Sequence, residues 1–201
     1  MCGAVFASAA TEEQNSFRGT GHERSFFMNA KRMTVISMLA AMCAVLGAIS
    51  IDLGNLKITL ESIPVILGAA LFGPIDGALV GFVGTFVYQV IRYGFSVTTL
   101  LWMLPYCVCG LIVGFYAKKR NFNLSVKQMI LIVVIAELVI TTLNTGVLYI
   151  DSKIYGYYSA VYIFGTLVPR YLICVGKAVA EGALLPLLIK PIKENILKKE
   201  A

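Results

Sequence analysis

Residues 37–50 read SMLAAMCAVLGAIS, a run apolar enough to lie in lipid that carries alanine at a strict four-residue spacing. Residues four apart stack on one face of a helix, so Ala40, Ala44 and Ala48 clear side-chain bulk from about two turns and let another helix approach closely. Small residues at such a spacing are how helices recognise each other within a bilayer. Docking to a partner and packing within the chain would both use the stripe, and the residues alone leave both readings open. Under either one, the run predicts a membrane helix.

The rest of the chain agrees. Of 201 residues, 58% are hydrophobic and 14% charged, far from the balance of a soluble domain of this length. The mean hydropathy is +0.81. A formal charge of +6 could suggest nucleic acid, but the basic residues punctuate the ends of apolar runs, where they set topology in a lipid bilayer, and no nucleic-acid partner is expected. The five cysteines form no disulfide framework: Cys2 lies in a polar tail, and Cys43, Cys107, Cys109 and Cys174 sit in apolar runs as small hydrophobes. Cys107 and Cys109 would point about 160° apart on a helix. The single histidine, His22, is in the tail. No metal site and no cofactor are expected.

Residues 1–27 are mixed and polar, without an apolar stripe, and the short patch CGAVFASAA lacks a preceding basic region, unlike a signal peptide. They are expected to be a disordered or artefactual extension, with Met28 as a normal start and 28–201 as one transmembrane domain. Apolar segments follow at about 33–51, 62–73, 75–92, 98–117, 127–150 and 160–189, which predicts an all-α bundle of six spans. The second is shorter than the roughly 20 residues of a straight crossing, and Gly73-Pro74 divides it from the third. Gly77, Gly81 and Gly84, then Gly110 and Gly114, read as close helix packing.

Basic residues in short connections stay cytoplasmic. Lys31 and Arg32, the stretch KKRNFNLSVK at 118–127 and KPIKENILKK at 190–199 share one side of a six-span chain, so both termini are expected in the cytoplasm. The other side receives DLGNLKITLES, RYGFSVT and DSKIYGYYS.

These residues resemble the substrate-binding S components of energy-coupling factor (ECF) vitamin transporters, over nearly all of 33–190. The stripe Ala40, Ala44, Ala48 is similar to the first-helix motif by which such components dock. IPVILGAALFGPIDGALVGFVG at 63–84 resembles the second and third helices, and LWMLPYCVCGLIVGFYAKK at 101–119 the fourth. LNTGVLY at 143–149 with LVPRYLICVGKAVAEGALLPLL at 167–188 resembles the last two helices of the folate-type branch. The resemblance implies a vitamin held near the extracellular face, a separate transmembrane coupling subunit and two cytoplasmic ATPases. The chain has no G-x-x-x-x-G-K-[ST] run, so ATP hydrolysis would fall to a partner.

Ionisable groups at membrane depth need a partner or a task. Lys177 and Glu181, four apart on the last span, are expected to pair, and Glu137 to answer a cation of that span. Arg170, nearer the outer end, offers a planar fork to a carboxylate or a heterocycle, and Asn144 can donate and accept at a pterin-like edge. Trp102 and Tyr106 share one face and could stack on a flat ring. Tyr155, Tyr157 and Tyr158 fit an interfacial belt. Lys57 and Arg92 on the outer loops could attract an anionic vitamin. Substrates left open are folate or a related pterin, pantothenate, cobalamin and a queuosine precursor. Two other classes compete: a small intramembrane enzyme, which would need an activated nucleophile or a metal, and a channel-like bundle lined by the charges of the last span.

Overall fold

A computed structural model describes residues 32–53 and 56–192. The chain divides into two compact units, Met1–Ser37 and Met38–Ala201. The expectation of an extension over 1–27 falls outside the described residues.

Helix α1 spans Arg32–Ala48. A short antiparallel hairpin follows, β1 (Ile51–Leu53) and β2 (Leu56–Ile58), with Ile51 opposite Ile58, Asp52 opposite Lys57 and Leu53 opposite Leu56. Then come α2 (Ser62–Phe72), α3 (Pro74–Tyr93), α4 (Thr99–Lys119), α5 (Val126–Ile154), α6 (Ala160–Phe164) and α7 (Leu167–Ile192). Helices α3, α4, α5 and α7 are long and apolar enough to cross a membrane, whereas α1 and α2 are shorter. Each of the six expected segments contains a helix.

Two features depart from the expected all-α bundle of six spans. The first is the hairpin, in a stretch expected to be a loop. Each strand has only three residues, too few for an alternating pattern to register, although the dipeptide Gly54-Asn55 between them has hairpin-turn composition. The second is the last segment, expected as one span over 160–189. It breaks into α6 and α7 at Gly165 and Thr166. Gly165 is a poor helix former, and Pro169 falls in the first turn of α7, where its missing N–H leaves no hydrogen bond unmade.

Local chemistry explains the other boundaries. Pro74 opens α3 with its φ already set for a helix. The single residue between α2 and α3, Gly73, has φ +109°, which a side chain would strain. Ser125 and Gln128 close a capping box at the start of α5, the Ser125 N–H donating to Gln128 Oε1 at 3.3 Å.

The bundle is tied together where bulk is missing. Helix α3 packs against α2 and α4, α4 against α5, and α5 against α7. Gly77 of α3 and Gly110 of α4 meet backbone to backbone, Gly114 lies on Pro74, Gly81 abuts the backbone of Tyr106, and Gly84 receives Cys43 and the Ala40 carbonyl of α1. Close packing is thus what the glycine spacing does. Helix α2 is buried at every residue from Ser62 to Leu71.

The alanine stripe divides. Ala40 and Ala44 are buried against this chain's own helices, whereas Ala48 is exposed. The open face of α1 carries Met38, Ala41, Met42, Val45 and Ala48.

Candidate substrate-binding site

Alternation of the helices gathers the hairpin, the 94–98 connection and the 155–166 stretch at one end of the bundle, with the starts of α2, α4 and α7 and the ends of α3 and α5. The expected substrate residues fall at this end or one to three turns inside it.

Tyr106, on α4, is buried, and its hydroxyl donates to Glu61 Oε1. The same oxygen accepts from Thr59 Oγ1 at 3.0 Å, and the Glu61 carbonyl accepts from Cys43 Sγ at 3.3 Å. The carboxylate of Glu61 thereby links the foot of the hairpin to α4, and its main-chain carbonyl adds α1. Sequence reasoning passed over Glu61. The signal lay in ESIPVILGAALF, an acid placed directly before a helix that is apolar on all sides and so buried on all sides. Trp102 stands half-buried one turn nearer the start of α4.

Asn144 lies well inside α5, half-buried, and its Oδ1 is enclosed with no hydrogen-bond partner among the described residues. Near it, Thr142 Oγ1 and the Tyr171 hydroxyl are 2.9 Å apart, which sets this stretch of α5 level with the first turns of α7. Arg170, next to Tyr171, is half-buried there. Asn144 and Arg170 therefore share a depth. Arg92 is exposed at the end of α3, and Lys57 occupies β2 opposite Asp52.

The end of α5 carries an aromatic clasp. Tyr149 and Tyr158 meet edge to face with centroids 5.6 Å apart, and Lys153 Nζ lies 4.1 Å from the Tyr158 ring centroid. Tyr157 donates to Asp151. Tyr155, Tyr157 and Tyr158 are exposed, as residues of an interfacial belt are.

Deeper, Lys177 Nζ lies 3.1 Å from Glu137 Oε2 and 3.6 Å from Glu181 Oε1. Both expected pairings of Lys177 and Glu137 are present, and they form one cluster. Ser62 at the start of α2 donates to Glu181 Oε1 at 2.9 Å. Among the described residues no group of three metal-ligating side chains occurs.

A multi-pass helical membrane protein with polar groups assembled inside one end is the class this architecture defines. Residues 31–192 match the family described as ECF transporter, substrate-specific component, and the chain belongs to that family. It is a transporter component and not an enzyme. UPF0397 proteins of Streptococcus agalactiae, from serotypes Ia and V, are 32% identical over 98 residues, which are 47% of this chain and 53% of theirs. The chain thus spans about half the length of the curated relatives it matches. The crystal structure of FolT bound with folic acid has the same fold, with TM-score 0.56 and 24% identity over 77% of this chain and 88% of that one. The S component of a bacterial ECF transporter aligns at TM-score 0.49 and 20% identity, over 85% of this chain and 97% of that one.

Proposed function

We propose that this chain is the vitamin-binding S component of an ATP-driven importer, that it takes folate or a related pterin at the hairpin end, and that this end faces the outside. Both termini are then cytoplasmic, in keeping with the basic residues Lys118, Lys119 and Arg120 at the opposite end. A separate coupling subunit and two ATPases complete the importer. Folate is favoured by the fold shared with FolT, whose structure holds folic acid. The observation that carries the site is the enclosed Asn144 oxygen. A buried acceptor without a donor is rare in native proteins, and a pterin edge supplies N–H donors. Arg170, at the same depth, would hold a carboxylate or a ring acceptor through its fork, with Trp102 against the flat ring.

The test is titration of purified variants with folate, pantothenate and cobalamin, with a thermal melt as folding control. Arg170→Ala is expected to stay folded and lose about 1.5–3 kcal/mol of binding, a weakening of roughly ten- to a hundredfold. Arg170→Lys should recover part, keeping the charge without the fork. Asn144→Ala should weaken binding less. Unchanged folate affinity in both alanine variants would refute the site.

Docking on the coupling subunit is assigned to the open face of α1. Of the stripe expected to dock, Ala48 remains available, with Ala41 and Val45 beside it, while Ala40 and Ala44 serve the chain's own packing. Ala48→Trp should therefore weaken co-purification with the coupling subunit and leave vitamin binding intact. Full assembly of Ala48→Trp would place docking on another face.

A further inference from the structure

The turn between α4 and α5 carries charge that the fold does not use. Lys118, Lys119, Arg120 and Lys127 are all exposed, and among the described residues none of them forms an ion pair. No acidic residue occurs anywhere in 77–136. Asp76, in the first turn of α3 at the same end of the bundle, is buried.

The turn is held in one shape. Asn121 and Phe122 have φ +50° and +56°, a region that residues other than glycine seldom enter. The Phe122 N–H donates to the Ala117 carbonyl at 2.8 Å, the Asn121 N–H to that of Lys118 at 3.1 Å, and the Asn123 N–H to that of Arg120 at 3.0 Å. The Phe122 ring lies beside Gly73, between α2 and α3. The cations therefore sit on a fixed backbone and not along a loose loop.

The faces below them indicate what covers them. Lys118 and Lys119 stand three and four residues after Phe115 and share its face of α4, and Phe115 is 61% exposed. On α5, Lys127 stands four residues before Leu131, which is 57% exposed. Each lysine thus rims a face whose next turn inward presents a large apolar side chain to the surroundings. Arg120 leans the same way, its guanidinium 5.9 Å from the centroid of the Tyr116 ring, one turn back along α4. Cationic heads above lipid-facing apolar side chains lie at headgroup level.

We propose that the α4–α5 turn binds the phosphate of anionic phospholipid headgroups through Lys118, Lys119, Arg120 and Lys127. The occupant is a lipid of the surrounding bilayer, because the apolar faces below the cations receive its chains. The surface lies at the opposite end of the bundle from the residues assigned to the vitamin and does not rest on them.

Native mass spectrometry of the full chain, released from micelles holding phosphatidylglycerol and phosphatidylcholine in equal amounts, tests this. The wild type should retain phosphatidylglycerol in preference, and the preference should fall when salt is raised before release. Lys118→Gln, Lys119→Gln and Arg120→Gln combined should lose it, by roughly fivefold for each cation removed, and Lys127→Gln alone should lower it. All four side chains are exposed, so these variants should fold. Lys153→Gln, at the other end of α5, should retain lipid as the wild type does. Inorganic phosphate should compete no better than chloride at equal ionic strength; displacement by phosphate alone would make the ligand a soluble anion and overturn the proposal. Equal retention of the two lipids by the wild type would overturn it whatever the variants do. So would an unchanged preference in the triple variant, or an equal loss in Lys153→Gln. Failed assembly with the coupling subunit in the triple variant, with no lipid preference in the wild type, would give the surface to a protein partner instead.

Discussion

Lys177→Met should be the most destabilising single charge removal in the chain. The substitution keeps the length and apolar stem of the side chain but withdraws the ammonium from two buried carboxyls. Breaking a buried ion pair by removing one partner typically costs about 3–5 kcal/mol, because the charge left behind is neither solvated nor paired. Thermal melts of detergent-purified protein should show a lowered midpoint and a smaller monodisperse fraction. Lys177→Met combined with Glu137→Gln and Glu181→Gln should recover most of the loss, since no buried charge is then left without a partner. A single variant that melted like the wild type would mean that water reaches the carboxyls and that the pair contributes little.

Gly110→Leu is expected to be nearly as severe for a steric reason. A Cβ at Gly110 would overlap the backbone of Gly77 and Ala78, and backbone cannot turn aside as a side chain can. Overpacking typically costs about 1–3 kcal/mol and occasionally more, and here α3 and α4 would have to part. Cys109 reports the event, because its thiol is fully buried beside Gly110. In Gly110→Leu it should react with a membrane-permeant maleimide, whereas in the wild type it should not. Gly146→Ala and Gly176→Ala are the controls, since an added Cβ at either position meets nothing within 4 Å. Protection of Cys109 in Gly110→Leu would show that the α3–α4 contact adapts.

The helices were legible because lipid imposes a long uninterrupted apolar run, and six such runs stand out in the sequence. Contacts were legible where one residue type has a single physical use: the glycines of α3 and α4 meet as their spacing suggests, and Lys177 reaches Glu137 and Glu181 because charges in lipid have few other choices. The direction of the alanine stripe was not legible. A smooth face suits an internal neighbour as well as an external one, and Gly84 of α3 supplies the internal neighbour for Ala40. The hairpin was too short for periodicity, and the break at Gly165 lay inside a stretch read as one apolar segment. Glu61 escaped because it borders a span and so reads as a loop charge, although Thr59 and Tyr106 hold it inside the protein. For the vitamin site, sequence marks residue types that suit a pterin, but the shared depth of Asn144 and Arg170 comes from the Thr142–Tyr171 contact, a tertiary fact.

Helix α2 has eleven residues, a rise of about 17 Å, against about 30 Å of hydrocarbon. Lipid alone would not hold such a segment across a bilayer, however apolar it is. Its surroundings are protein on all sides, down to the seryl hydroxyl at its first turn that answers a glutamate of α7. For α2, the other helices are the solvent.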